Sequence, residues 1–137
     1  MTVQLFSPEG MMQPAPYAHV AISTGTRHVH VAGQIARDAE GAPVGGEGLA
    51  GQVAQVLRNT ALGLAGAGAT FADVVRLRFF LTQASAPDTL ARFMAGFDLV
   101  AEELGLPQPL PPVSVIGVDF LFEPDVLVEL EAYAVLD

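Results

Sequence analysis

Two carboxylates and a pair of histidines are the side chains in this sequence best placed to do chemistry. Glu129 and Glu131 stand two residues apart in a largely apolar run, so a strand would place both on one face. One of them could line a cleft and move protons, or both could simply face solvent, and the sequence leaves both interpretations open. His28 and His30 have the same spacing, but a metal would need a distant third ligand such as His19, so we expect no metal.

Other catalytic and cofactor signatures are missing from the sequence. There is no cysteine, which excludes disulfides, thiolate catalysis and cysteine-ligated zinc or iron–sulfur centres. No serine lies in a nucleophile-elbow pattern, and the run Gly66-Ala67-Gly68 is typical of the end of a helix rather than of a dinucleotide-binding loop. We therefore expect no cofactor.

The composition is typical of one small acidic domain. The 137 residues, 51% of them apolar and 15% charged, suffice for a single domain over residues 1–137 with its own core. The net charge of −9, with only six basic residues, disfavours nucleic acid and anionic membranes as partners. No apolar stretch could span a bilayer and residues 1–10 lack the basic start of a signal peptide, so we expect a cytoplasmic protein. The high apolar content also indicates burial between subunits.

Apolar periodicity predicts the elements that must position these side chains. Three- and four-residue steps predict helices over Leu49–Ala67 and about Pro87–Leu104, the second capped by Ser85. The remaining apolar or alternating runs predict the strands Val3–Phe6, Ala18–Ser23, Arg27–Ile35, Val74–Thr82, Val113–Phe122 and Val126–Leu136. The glycine-rich stretch Asp38–Gly48 predicts a flexible loop. The order β-β-β-α-β-α-β-β predicts an α+β fold, with both helices on one face of a sheet that the N-terminal strand pair completes.

Several segments together resemble one known family. The matching segments, in chain order, are Gly33-Gln34-Ile35 with Asp38 and Gly41, Asn59, Leu64–Ala69, Asp73-Val74-Val75, Gly117-Val118 and Leu127–Ala134. Their order and spacing resemble the YjgF/YER057c/UK114 family, also called the Rid or reactive intermediate deaminase (RidA) family. The resemblance implies a chorismate-mutase-like protomer with a mixed sheet, in a homotrimer whose three sheets form a central barrel with a cleft at each subunit interface. It also implies hydrolysis of enamines and imines, such as 2-aminoacrylate, to a carbonyl product and ammonia without cofactor or metal.

The resemblance further implies roles for individual residues. Tyr17 matches a cleft tyrosine and Glu129 matches the carboxylate that holds or activates the attacking water, so both are predicted catalytic residues. Gly33 matches the glycine whose main chain approaches the ligand, and Val115 lies where a main-chain group contacts the nitrogen end of the substrate. Glu131 stays an alternative to Glu129, because a one-residue change of strand register would exchange their environments.

The sequence departs from the family pattern at one predicted substrate-binding position. The family's deaminases carry a P-x-R segment whose arginine grips the substrate carboxylate, and here that position is Val113. Losing a charged hydrogen-bonded contact costs about 1.5–3 kcal/mol, and losing a bidentate one can cost more, so the binding of a 2-imino acid should weaken roughly tenfold to a hundredfold or more. Arg37, Arg76 or Arg78 could replace it only from another strand or subunit. Val113 therefore predicts an apolar end to the cleft and an altered substrate range.

Two functions follow from these observations. The first is an enamine/imine deaminase with an altered range of small metabolites, and the second is a catalytically inactive trimer that binds such a metabolite. The acidic net charge disfavours the endoribonuclease activity with which family members are often labelled. Chorismate mutase activity would need a cation that is missing at the matching position.

Overall fold

The computed structural model describes residues 2–46 and 48–137; Met1 and Glu47, the latter within the predicted loop Asp38–Gly48, lie outside the described residues. The elements, in chain order, are β1 Val3–Phe6, β2 Val20–Ser23, β3 Arg27–Gln34, α1 Leu49–Gly66, β4 Val74–Leu81, α2 Thr89–Leu104, β5 Val113–Gly117 and β6 Val128–Leu136. A short 3-10 turn, Phe71–Asp73, precedes β4 and is closed by a capping box between Thr70 and Asp73. Both predicted helices and all six predicted strands are therefore present.

The main sheet is mixed and has the order β3-β6-β4-β5. β6 runs antiparallel to both β3 and β4, whereas β5 runs parallel to β4 and lies at the edge. The prediction that the N-terminal strands complete this sheet is wrong, since β1 and β2 form a separate antiparallel pair. Alternation along a segment identifies a strand but not its partner, and these two short strands satisfy each other's main-chain groups.

Both helices pack on one face of the main sheet, as predicted. The side chains between the helices and the sheet are fully buried and include Leu57 of α1, Leu77 and Phe79 of β4, and Leu130 of β6. Phe79 makes edge-on ring contacts with two phenylalanines of α2, at centroid distances of 4.9 and 5.4 Å. The core therefore fills the space between helices and sheet. The opposite face, called the open face below, carries polar side chains of three strands: His28 and His30 of β3, Arg76 and Arg78 of β4, and Glu129, Glu131 and Tyr133 of β6.

Several predicted boundaries differ from the structure by one or two residues, and the end of β5 and the cap of α2 differ by more. β5 ends at Gly117 rather than at Phe122, because the chain leaves the sheet there and Phe122 adopts a positive φ of 59°. Helix α2 begins at Thr89 after Asp88, so Ser85 does not cap it. In the described part of the chain, we find no helix that is both long and apolar enough to cross a membrane.

Candidate functional site

Glu129 on β6 lies directly over the main chain of Gly33 on β3. A methyl group built on Gly33 would lie 2.0 Å from Oε2 of Glu129 and 2.8 Å from its Cδ. The pairing of β3 with β6 shifts register between Val31 and Gln34, so a bulge brings Gly33 beneath the carboxylate. Glycine is therefore the residue that leaves room for this carboxylate. We call Gly33 and Glu129 together the carboxylate half-site.

Glu131 lies on the same face as Glu129 but has different neighbours. It stands opposite Arg78 on β4, with Arg78 Nη1 3.5 Å from Oε1 of Glu131. Glu129 stands opposite Phe80 instead, and among residues 2–46 and 48–137 it has no salt-bridge partner. A carboxylate without a cationic partner has both oxygens available to hold a water molecule, so these contacts favour Glu129 over Glu131 for acid–base chemistry.

Tyr17, Val113 and Val115 lie together in a cleft of about 370 Å³ between β5 and α2. The cleft is lined by Pro16, Tyr17, Leu90, Phe93, Met94, Phe97, Leu110, Val113 and Val115. Tyr17 is the only member of this lining with a polar side chain. We call this region the apolar cleft, and its size and lining suit an apolar group of a small molecule.

Main-chain hydrogen bonds hold Tyr17 at the mouth of the apolar cleft. The N–H of Ala18 donates to the carbonyl of Leu110 at 2.7 Å, and the N–H of Leu110 donates to the carbonyl of Pro16 at 3.0 Å. Tyr17 thus forms a parallel bridge with Leu110. The ring of His19 packs edge-on against the Tyr17 ring, with centroids 5.1 Å apart. Tyr17 is therefore positioned by the main-chain bridge to Leu110 and by the ring of His19.

The apolar cleft and the carboxylate half-site do not meet within one chain. Val113 and Val115 point to the helix side of β5, whereas Glu129 points to the open face of β6, with β4 between the two strands. Strands two apart are separated by about 10 Å, and here the side chains also lie on opposite faces of the sheet. A small molecule can therefore contact both groups only if a second copy of the chain completes the site.

None of the three arginines considered as replacements for a cleft arginine reaches the apolar cleft. Arg37 donates to Asp125 at 2.9 Å and to Glu123 at 3.0 Å, and these hydrogen bonds raise the pKa of Arg37 above its ordinary value. Arg78 pairs with Glu131 on the open face. Arg76 also lies on that face, where it donates to Oγ of Ser114. Among residues 2–46 and 48–137 of one chain, no arginine lines the cleft that contains Val113.

The histidines considered as metal ligands lie in two separate places. His19 is near the apolar cleft and its Nε2 lies 2.8 Å from the carbonyl of Met12. His28 and His30 are on the open face, one on each side of Tyr133: Nδ1 of His28 bonds to the Tyr133 hydroxyl, and the His30 ring stacks on Tyr133 at 4.5 Å. Our sequence reasoning did not single out Tyr133. The sequence signal that could have identified Tyr133 is its position two residues after Glu131 in the alternating last strand, which places both on one face.

The class of protein is a chorismate-mutase-like α+β protomer. It is defined by the mixed sheet, the two helices on one face and the glycine–carboxylate pair. The family model described as "Endoribonuclease L-PSP" matches residues 10–136, which is most of the chain. The chain therefore belongs to this family, which is the YjgF/Rid family predicted from its motifs.

Solved structures agree with this assignment. YyfB of Yersinia pestis, a Rid-family protein of unknown function, is 38% identical with a TM-score of 0.86, covering 99% of this chain and 100% of that one. YjgF of E. coli is 25% identical with a TM-score of 0.68, covering 97% and 94%. TdcF of E. coli with bound serine is 24% identical, also with a TM-score of 0.68, covering 96% and 94%. Comparison with curated proteins finds no match.

Proposed function

We propose that this protein hydrolyses an enamine or imine of a small metabolite to a carbonyl compound and ammonia. The observation that carries the proposal is the carboxylate of Glu129, which lies over Gly33 with no cation paired to it among the described residues. A carboxylate fixed above a main-chain glycine can hold a water molecule close to a ligand that approaches the same main chain. Family membership adds support, because the resemblance that predicted it also implies this reaction.

The proposed chemistry needs little besides a positioned water and a proton acceptor. An imine carbon is already electrophilic, so water adds to it while Glu129 accepts a proton from that water. The same proton returns to the nitrogen and completes the carbinolamine. A second proton then passes from the hydroxyl of the carbinolamine to its amine, the C–N bond breaks, and ammonia and the carbonyl product leave. An enamine enters this sequence as its imine tautomer. Tyr17 would supply a hydroxyl at the mouth of the apolar cleft.

The proposed active form is a homotrimer, in which the apolar cleft of one subunit faces the carboxylate half-site of the next. The apolar surface near the sheet edge supports this assembly, since Phe122 is 73% exposed, Phe120 58% and Val115 46%. β5 pairs on one side only within the described residues, so its other edge is available to a neighbour. Sedimentation as a compact monomer would contradict the proposed trimer.

The proposed substrate carries an apolar group, or lacks a carboxylate, at the Val113 end of the site. A carboxylate placed in the apolar cleft would lose hydration without gaining a charged partner, because no arginine of the described part of the chain lines it. TdcF, which shares this fold, was crystallised with serine, so the fold itself can hold a small amino acid. We propose that TdcF and this protein differ in the small molecule they hold because different side chains line their clefts.

The proposal is tested by placing a positive charge at position 113, where the family's deaminases carry an arginine. Val113→Arg should raise kcat/KM for 2-aminoacrylate, generated in situ by a dehydratase, by roughly tenfold to a hundredfold, since a charged hydrogen bond contributes about 1.5–3 kcal/mol. Pyruvate release reports the rate. Leu62→Arg is a matched control: Leu62 is 73% exposed on α1, so it adds the same charge outside the cleft and should leave the rate unchanged.

A second substitution separates catalysis from binding. Glu129→Gln in the Val113→Arg background should lower the rate about a hundredfold or more, as expected for loss of a general base. If Val113→Arg folds with an unchanged melting temperature but gives no gain, the role assigned to position 113 is wrong. If Glu129→Gln retains full rate, the proposed hydrolysis is wrong.

The alternative function, a trimer that binds a metabolite without processing it, is favoured by the apolar character of the cleft. It predicts thermal stabilisation by neutral amides or ketones, with no turnover of any imine. Ribonuclease activity is not proposed, because a chain with a net charge of −9 is repelled by RNA.

A further inference from the structure

The two halves of the proposed composite site differ sharply in charge. Among the described residues that line the apolar cleft none is charged, and the hydroxyl of Tyr17 is its polar side-chain group. The carboxylate half-site carries the negative charge of Glu129, with which no cation of residues 2–46 or 48–137 is paired. A site that is apolar at one end and anionic at the other is complementary to a basic nitrogen that carries an apolar group.

The basic residues of the chain are engaged outside the apolar cleft. The sequence contains six arginines and no lysine. Within the described residues Arg37, Arg58, Arg78 and Arg92 are paired with carboxylates, Arg27 donates to a main-chain carbonyl and Arg76 to the hydroxyl of Ser114. None of the six lines the cleft. A ligand with a carboxylate at this end would therefore be desolvated there without a charged partner.

The lining of the apolar cleft suits an aromatic group. Phe93 and Phe97 of α2 stand edge-to-face with their ring centroids 5.1 Å apart, so a third ring can extend the same arrangement. Leu90, which also lines the cleft, is 71% exposed. A ring bound in the cleft would cover apolar surface that one chain leaves in contact with water, and this burial would stabilise the complex.

We propose that the composite site recognises the imine of an aryl-substituted primary amine, which carries an aromatic group and no carboxylate. The ring lies in the apolar cleft between Val113 and the phenylalanines of α2. The nitrogen faces Glu129 of a second copy, whose negative charge favours the protonated form of the imine. This inference rests on the proposed hydrolysis and homotrimer, and it names the class of substrate.

The chemistry of such an imine defines the reaction that must supply it. A primary amine becomes an imine when it loses two electrons and two protons, one from the carbon and one from the nitrogen, and a flavin or quinone of the supplying enzyme takes the electron pair. Water then adds to the carbon of the imine and ammonia leaves, which gives an aldehyde. The place of this protein is therefore after an amine-oxidising enzyme and before an enzyme that consumes an aldehyde.

Two stable ligands that differ only in a carboxylate test this recognition with the full-length protein. 2-Phenylethylamine and phenylalanine share the ring and the amine, and phenylalanine adds the carboxylate. In titration calorimetry, 2-phenylethylamine should bind saturably and at least about tenfold more tightly, because the carboxylate of phenylalanine would be buried unpaired. Val113→Arg should strengthen phenylalanine binding at least about tenfold, whereas Leu62→Arg, outside the cleft, should leave it unchanged.

Two exposed leucines of α2 give a matched pair of variants. Leu90 lines the apolar cleft and Leu99 does not, and both side chains lie largely in solvent, so neither substitution disturbs the core. Leu90→Asn should weaken the binding of 2-phenylethylamine several-fold, and Leu99→Asn should leave it unchanged. The inference is refuted if phenylalanine binds as tightly as the amine, if neither ligand binds saturably, or if both leucine variants have the same effect.

A rate measurement separates this inference from the proposed hydrolysis. When a flavin-dependent amine oxidase converts 2-phenylethylamine to its imine, added protein should increase the initial rate of ammonia release. Selective binding of the amine without faster ammonia release would support the recognition and overturn the hydrolysis. Hydrolysis of 2-aminoacrylate without any preference for the amine over phenylalanine would overturn the recognition and leave the hydrolysis standing.

Discussion

Replacing Gly33 by alanine is the sharpest test of the carboxylate half-site. The added methyl group would lie 2.0 Å from Oε2 of Glu129, and ordinary contact begins at 3.4 Å, so the carboxylate must retreat by about 1.4 Å. A displacement of about 1 Å at a reacting centre can cost about a hundredfold in rate. Because the Gly33 main chain has no positive φ, alanine introduces no backbone strain.

Stability should change little in Gly33→Ala. The end of a flexible glutamate side chain can move, and alanine reduces the conformational entropy of the unfolded chain by about 0.4–1 kcal/mol. We therefore expect the free energy of unfolding to stay within about 1 kcal/mol of the wild type while kcat/KM for the imine falls about a hundredfold.

The measurement pairs denaturant unfolding with the imine hydrolysis assay, both in the Val113→Arg background, where we expect a measurable rate. Gly66→Ala is the matched control, since a methyl group built at Gly66 meets nothing within 4 Å and should leave the rate unchanged. An undiminished rate in Gly33→Ala would refute the role assigned to Glu129. A loss of several kcal/mol in stability would show that main chain, not the carboxylate, fills the space above Gly33.

Two further predictions concern the fold. Gly96→Ala should destabilise the protein by about 1–3 kcal/mol, because its methyl group would lie 2.5 Å from Cβ of Val53 and 2.8 Å from the carbonyl of Ala50, where the helices pack closely; an unchanged midpoint of urea unfolding would contradict this packing. The second concerns Glu103, whose pKa is held below its ordinary value of 4.5 by the hydrogen bond from Arg58. That pair stabilises the fold above the unfolded pKa and loses its effect as the pH falls, so the difference in melting temperature between wild type and Glu103→Gln should shrink below about pH 4.5. A difference independent of pH would refute it.

Much of the fold could be predicted because its signals are local. The helix that ends at Gly66 and the strand that carries Glu129 and Glu131 were predicted from apolar periodicity, which depends only on neighbouring residues. The separation of the β1–β2 pair from the main sheet and the end of β5 at Gly117 could not be predicted this way, because both depend on which main-chain groups find partners far away in sequence.

The candidate site, like the fold, could be predicted only in part from the sequence. Residue types and motif spacing by themselves indicated the family and the mixed fold. They also predicted the candidate site residues Tyr17, Gly33, Val113, Val115 and Glu129, whose roles stay predictions. Only the tertiary structure decided that Glu129 lies over Gly33 and that Glu131 is paired with Arg78. The physical reason is that periodicity fixes the face on which a side chain lies, whereas its contacts depend on strand order and on the bulge near Gly33, which are set by distant parts of the chain.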